Sequence, residues 1–386
     1  MYIFDEPSVG LHPQDIQAIG QLIQTIKDKG NTILLIDHDP DIIQLADTVF
    51  ELGPKAGVHG GELISVGSYA QWATRQKEQA PLSLNTRPAL PDTFFQINNL
   101  SKNNVKNISV QLPKQRLIAI TGVAGSGKSS FAKAIQEQYS EDVFYVTQKS
   151  LRTSRRSTVL SFIGLFDEVR QLFSHKNHVA ASLFSFNGKG ACPVCKGKGF
   201  VETELAFLDP IRSVCEACQG NKYRKEVLHY TYADKTIVEV LAMSVEESND
   251  FFADQPKIAK QLFWLNTIGL GYLTLGQTLD TLSGGELQRL KLACNLEYHN
   301  KMIILDEPTT GLSSQDIQAL LHVFDELLQN ENTLLVIEHN VELIQLADWM
   351  IEFGPGSGKK GGQVIFEGTP SDAMNTSVSV TGMFLT

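Results

Sequence analysis

The run Gly122-Val-Ala-Gly125-Ser-Gly127-Lys128-Ser129 fits the G-x-x-x-x-G-K-[ST] pattern without a mismatch. Gly122, Gly125 and Gly127 let backbone N–H groups, with that of Ser126, turn toward phosphate oxygens. The side chain of Lys128 would reach a terminal phosphate, and Ser129 would place its hydroxyl for Mg2+, with Ser130 next to it in the nucleotide-binding set. A carboxylate pair, Asp306-Glu307, stands at the end of an apolar run; Asp306 suits Mg2+ and Glu307 suits orienting or deprotonating an attacking water. A second apolar run ends at His339. Gln148 follows the apolar run Val143 to Val146, where by position alone it fits a solvent-facing residue equally well. Ser283-Gly284-Gly285 opens a helical pattern and offers a second anion-binding N-terminus, for which one phosphate site has no need.

Strands and helices must position these groups. The apolar run Arg116 to Thr121 predicts a strand feeding the glycine-rich loop, and Ser129 to Gln138 a helix leaving it. Sliding the chain against itself at an offset of 301 aligns positions 5–67 with 306–368 and finds 28 identities in 63 positions. Asp5-Glu6-Pro7 repeats as Asp306-Glu307-Pro308, His38 as His339, and Leu45-Ala46-Asp47 as Leu346-Ala347-Asp348. Each copy reads strand, Asp-Glu-Pro, amphipathic helix, strand, His, then a helix and a Gly-Gly hairpin, which predicts an α/β fold with a parallel sheet and its functional groups at strand C-termini. Residues 71–93 are polar and proline-containing and predict a linker between a partial domain, 1–70, and a complete one, 94–386.

Of the five cysteines, four form two Cys-x-x-Cys pairs, Cys192/Cys195 and Cys215/Cys218, with ribbon-like zinc spacing. Four thiolates close the coordination sphere, so Zn2+ here is expected to be structural. Cys294 fits a packed core thiol, and His175 and His178 fit exposed loop positions. The chain of 386 residues has ample length for two or three domains, and its N-terminus lacks the pattern of a signal peptide. No apolar run approaches bilayer-spanning length, and a cytoplasmic protein with no membrane partner is expected. Net charge is −10, against indiscriminate binding of nucleic acid. The balance is uneven, however: residues 145–230 carry 13 basic and seven acidic side chains, +6, leaving −16 elsewhere. Arg152, Arg155 and Arg156 cluster there, compatible with a phosphate-binding surface or with a solvated basic face.

In their order along the chain, Lys128, Gln148, Ser283, Asp306, Glu307 and His339 resemble the ATP-binding cassette (ABC) ATPases. That resemblance implies that Gln148 senses Mg2+ and the attacking water, that His339 contacts the γ-phosphate, and that Ser283 to Gly285 answer a P-loop on a facing module. Phe184-Ser-Phe-Asn187, Cys192-Pro-Val-Cys-Lys-Gly197, Cys215-Glu-Ala-Cys-Gln-Gly-Asn-Lys-Tyr223, Gly269-Leu-Gly-Tyr272, Leu282-Ser-Gly-Gly-Glu-Leu-Gln-Arg289 and Ala347-Asp348-Trp349 resemble UvrA, the DNA-damage-recognition subunit of the bacterial excinuclease. UvrA carries two ABC modules, and this chain is similar to the tail of the first plus all of the second. The first P-loop, signature turn and zinc module of that family are not in the sequence, so the chain is expected to begin mid-fold.

Implied with the resemblance are ATP, Mg2+ and Zn2+, an inserted DNA-binding region over 149–230 with its zinc module at 192–218, and damaged double-stranded DNA bound without regard to sequence. A homodimer and the excinuclease subunit UvrB are the implied protein partners. Two alternatives stay open: a UvrA paralogue serving drug or self-resistance, and a truncated remnant that does not hydrolyse ATP.

Overall fold

A computed structural model describes the chain except residues 9, 54–60, 78–81, 86, 88, 147–155, 206–207, 295–297, 311, 313 and 386. Two compact units result: Met1–Lys149 with Thr267–Gly269 and Gly284–Thr386, and Ser150–Asn266 with Leu270–Ser283.

The first unit is built on a six-stranded sheet in the order Gln363–Gly368, Trp349–Gly354, Leu117–Thr121, Thr333–Ile337, Met302–Asp306, Val143–Val146. Every pairing is parallel except that of the edge strand Gln363–Gly368. Such strands are covered on both faces, which is why Leu117–Thr121 and Thr333–Ile337 are apolar throughout rather than alternating. An antiparallel hairpin, Phe94–Lys102 with Val105–Pro113, packs Ile97, Leu100 and Leu112 into the core shared by Ile118, Ile120, Phe131 and Phe353. The expected sheet, the loop between Leu117–Thr121 and helix Lys128–Gln138, and the carboxylate strand all form where the sequence pattern placed them.

In the N-terminal copy of the repeat, Tyr2–Asp5 pairs in parallel with Ile33–Ile36, and Val49–Gly53 pairs antiparallel with Glu62–Gly67. Helix Pro13–Asp28 packs Ile16 and Ile23 with Ile42 in a small core of its own. The first residues of the expected linker, 71–77, belong to a helix, Tyr69–Lys77, tied back by ion pairing of Arg75 with Glu51. The segment beyond it is strapped to the sheet unit: Arg87 Nε pairs with Asp348 at 2.9 Å, and an Arg116 guanidinium nitrogen donates to the Ala89 carbonyl at 2.7 Å.

The second unit holds helices Phe166–Asn177, Val245–Phe251 and Pro256–Thr267, the last ending in the first unit's short segment, and the hairpin Phe200–Leu205 with Leu208–Val214. It runs well beyond the expected insert of 149–230. His175 lies on the first of these helices rather than in a loop, and His178 caps it at φ 55°; both are exposed.

Candidate functional site: a phosphate cradle and a four-cysteine cluster

Backbone geometry in the glycine-rich loop demands glycine. Gly122 has φ 123° and an added Cβ would lie 2.0 Å from the Phe353 carbonyl oxygen; Gly127, at φ 115°, precedes the first helical residue. Gly125 sits at the tip of the loop with φ 72°, and its carbonyl accepts from the Gly358 amide at 3.1 Å, which ties the tip to the turn after strand Trp349–Gly354. Lys128 is buried rather than solvent-facing. Its Nζ donates to the carbonyls of Gly122 at 2.7 Å and Val123 at 3.1 Å, and burial pushes its pKa down to about 8 despite the nearby Glu307, Asp15 and Asp306 carboxylates. An incoming phosphate would replace two carbonyl acceptors with a formal charge, a stronger partner for an ammonium. Ser126 is buried with an unpartnered Oγ, Ser129 is half-buried, and Ser130 Oγ accepts from Asn103 at 3.1 Å.

Across the sheet, Asp306 ends its strand and is fixed twice, by residues the sequence reading missed. Tyr145 Oη donates to Asp306 Oδ2 at 2.7 Å, and Gln288 Nε2, from helix Gly284–Ala293, donates to the Asp306 carbonyl at 2.6 Å. Glu307 follows with φ 48°, a left-handed conformation costly for a glutamate, held because the chain must leave the strand sharply at Pro308. Burial and the Asp306 and Glu338 carboxylates push its pKa upward. His339 Nε2 stands 4.0 Å from Glu307 Oε1, and burial followed by Lys128 and His12 holds the imidazole well below its ordinary pKa, hence neutral near pH 7.

Glu338, also missed, is the buttress under this corner. Its fully buried carboxylate accepts from Thr309 N and Oγ1 and from the amides of His339 and Asn340 at 2.6–3.1 Å. The only advance signal was its position beside His339 in a repeat that puts Asp37 at the same place.

Helix Gly284–Ala293 begins at the Ser283-Gly284-Gly285 turn as expected, and Gly284 has open space where a side chain would stand. Gln148, Arg152 and Arg155 lie outside the described residues.

Within the second unit, Cys192, Cys195, Cys215 and Cys218 are buried and their sulfurs lie within 4.8 Å of one another. Cys195 and Cys218 Sγ are 3.7 Å apart, against about 3.8 Å for tetrahedral thiolates 2.3 Å from one ion. The Gly199 amide donates to Cys195 Sγ at 3.3 Å. The four cysteines therefore fit a closed metal site. Around them Lys189, Lys196, Lys198, Arg212, Arg224 and Lys225 are exposed, and Arg212 lies 4.8 Å over the Phe200 ring. Cys294, half-buried, has its thiol pushed up to about 12 by burial, an unreactive core thiol.

The P-loop, the carboxylate strand and the histidine corner on one parallel sheet define an ATP-binding cassette. The ABC transporter family profile matches residues 105–310, and the chain belongs to that family. Over its whole length it is similar to UvrABC system protein A, at 38% identity with that of Aquifex aeolicus and 40% with that of Helicobacter pylori strain 26695. It aligns to the C-terminal half and covers 46% of each, so the chain spans about half the length of these curated relatives. The crystal structure of UvrA2 from Deinococcus radiodurans superposes with a TM-score of 0.91 at 35% identity, covering 100% of this chain and 51% of that one. Among the described residues no helix is long and apolar enough to cross a membrane.

Proposed function

We propose that this chain is the ATP- and DNA-binding portion of a UvrA-type damage-recognition ATPase acting in nucleotide excision repair. A nucleotide cradle and a four-cysteine module with mainly basic exposed charge occur together in one chain, and that coexistence carries the reading. Gly122 to Ser130, with the amides around Gly125 at its tip, would cradle the phosphates with Lys128 on the terminal one. Ser129 and Asp306 would hold Mg2+, and Glu307 would act on the attacking water with Gln148 and neutral His339 beside the γ-phosphate. Glu307's raised pKa suits a base that must accept a proton. Held by Ser129 and Asp306, Mg2+ would neutralise phosphate charge; positioning would be the work of the chain's own side chains.

Ser283, Gly284 and Gly285 would face the γ-phosphate of a second module, so turnover needs a homodimer or a further module. Zinc, held by Cys192, Cys195, Cys215 and Cys218, would cross-link the short loops that present the cations. Binding through phosphates and duplex deformability rather than base edges suits a lesion sensor, with UvrB as the recipient of the marked site. A protein of this kind works in the cytoplasm.

The test is fluorescence anisotropy of a labelled duplex, with and without a bulky adduct, in the presence of ATPγS and Mg2+. Binding should be independent of sequence and fall steeply with salt, and Arg156→Ala and Lys196→Ala should each lower the log–log salt slope by about one unit. Absence of binding at low salt would overturn the reading. Elemental analysis of freshly purified, reduced protein should find one zinc per chain.

A further inference from the structure

His12 is a fully buried residue whose one part above is electrostatic, as a group that helps keep His339 neutral. It belongs to the N-terminal copy, in the loop between the first Asp-Glu-Pro and helix Pro13–Asp28, yet its ring lies among residues of the C-terminal copy and the last turn of the chain. The ring centroid is 6.0 Å from that of His339 and 5.8 Å from that of Phe384, both edge-on. Its Nδ1 accepts from the Gln14 amide at 3.3 Å, capping the helix, which leaves the proton on Nε2. That nitrogen then donates to Thr381 Oγ1 at 3.1 Å, and Thr381 Oγ1 donates in turn to Glu352 Oε1 at 2.9 Å.

Glu352 is itself 0% exposed and is the fixed point of this chain of bonds. It stands on strand Trp349–Gly354 opposite Thr121, where the P-loop strand ends. Its carboxylate accepts from Ser379 Oγ at 2.5 Å and from the Thr381 amide at 2.8 Å. Ser379 Oγ accepts from the Gly382 amide at 2.8 Å, so the turn closes on itself. The segment Ser379–Phe384 is thus hooked to the floor of the nucleotide cradle by a buried, hydrogen-bonded carboxyl group.

What the hook secures is the loop from Gly10 to Asp15. A Cβ at Gly10 would meet Glu307 Oε2 at 3.0 Å, so its backbone lies directly over that carboxylate. Asp15 Oδ2 accepts from the P-loop amide of Ala124 at 3.4 Å. The loop therefore touches the cradle on the two sides between which a γ-phosphate would sit.

From these contacts we infer that the C-terminal segment Ser379–Phe384 is a positioning element of the nucleotide site, anchoring through Thr381 and His12 the loop that discriminates the γ-phosphate. This rests on the nucleotide reading above. Thr381 and His12 are positioning residues: they act through the loop and through His339 without touching the nucleotide.

The test compares wild type, Thr381→Val and Thr381→Ser by titration with ATPγS–Mg2+ and, separately, ADP–Mg2+. Loss of the hydroxyl should weaken ATPγS binding about tenfold and leave ADP binding unchanged, with Thr381→Ser restoring both. A variant lacking residues 376–386 should match Thr381→Val. Equal losses for both nucleotides, or none, would overturn the inference. A second readout needs no nucleotide: by NMR of labelled histidine, His12 should stay neutral as the Nε2–H tautomer down to about pH 4 in wild type, where burial and Lys128 disfavour its charged form, and titrate nearer its ordinary value in Thr381→Val because the released loop brings the ring to solvent. An ordinary wild-type titration would show that the anchor does not exist. A wild type that binds neither nucleotide sinks the nucleotide reading and the positioning role with it, while the His12 titration still scores the anchor separately.

Discussion

The two copies of the repeat share their local structure and differ in what covers them. Register is the same in both: Tyr2 pairs with Ile33 as Ile303 pairs with Leu334, and each hairpin carries its bulge after the corresponding glutamate, Glu51 or Glu352. Glu6 and Glu307 both take positive φ, at 46° and 48°. The buttress under the histidine also repeats, with Asp37 accepting from Ser8 N and Oγ and the amides of His38 and Asp39 as Glu338 does from its own neighbours. Burial, however, is opposite. Leu34, Ile36, Phe50 and Leu52 are 47–68% exposed, whereas their counterparts Leu335, Ile337, Ile351 and Phe353 are at most 1% exposed. In the C-terminal copy the strand Leu117–Thr121 lies between Thr333–Ile337 and Trp349–Gly354; among the described residues no strand takes that place between Ile33–Ile36 and Val49–Gly53. Hydrogen bonds between the elements of one copy, such as Ser8 to Asp37, form without a strand in that place, and burial does not, because the first need only the copy's own residues and the second needs a partner from outside it.

The largest contrast should be catalytic. Glu307→Gln is expected to lower ATP turnover by at least about a hundredfold while nucleotide binding persists, and Glu6→Gln to leave turnover nearly unchanged. Equal effects in a steady-state assay would mean that both copies work as sites. Lys128→Ala should abolish turnover altogether, and circular dichroism should show the fold retained.

Next comes stability. Leu335→Asp buries an unpaired carboxylate and should cost roughly 3–5 kcal/mol or prevent folding, whereas Leu34→Asp should stay within about 0.5 kcal/mol in urea titration. The uncovered apolar face of the N-terminal copy should drive self-association that rises with concentration, and Leu52→Lys should reduce it in sedimentation velocity. A monodisperse monomer at high concentration would show that this face needs no cover.

A further contrast is in pH. Burial, then Lys128, lowers the His12 pKa from 6.5 to about 4, so between those values the unfolded chain binds a proton that the folded chain does not. Stability should therefore fall as pH drops from 6.5 toward 4, with no further loss from this group below that, and His12→Asn should flatten the decline in thermal melts.

Much of this was legible in the residues. Gly122 to Ser129, the Asp306-Glu307 pair and the two Cys-x-x-Cys pairs are recognisable because their chemistry needs fixed types at fixed short spacing, and the strands that carry them are continuous apolar runs. Residues that act on the site from far along the chain left no such trace. Tyr145, Gln288, Glu352 and Thr381 have ordinary types in ordinary local patterns, and only packing brings Tyr145 to a carboxylate 161 positions away. The repeat announced itself by 28 identities, but identity of sequence could not tell which copy would be covered, since Ile36 and Ile337 are the same residue in the same pattern. Sequence by itself determined the local conformations, the glycine-rich loop between strand and helix and the two Cys-x-x-Cys turns, all products of spacing. Tertiary structure alone decided which of two near-identical strand pairs became core, and that a histidine from one copy would be held by the tail of the other, because burial and long-range hydrogen bonding depend on what arrives from elsewhere in the chain.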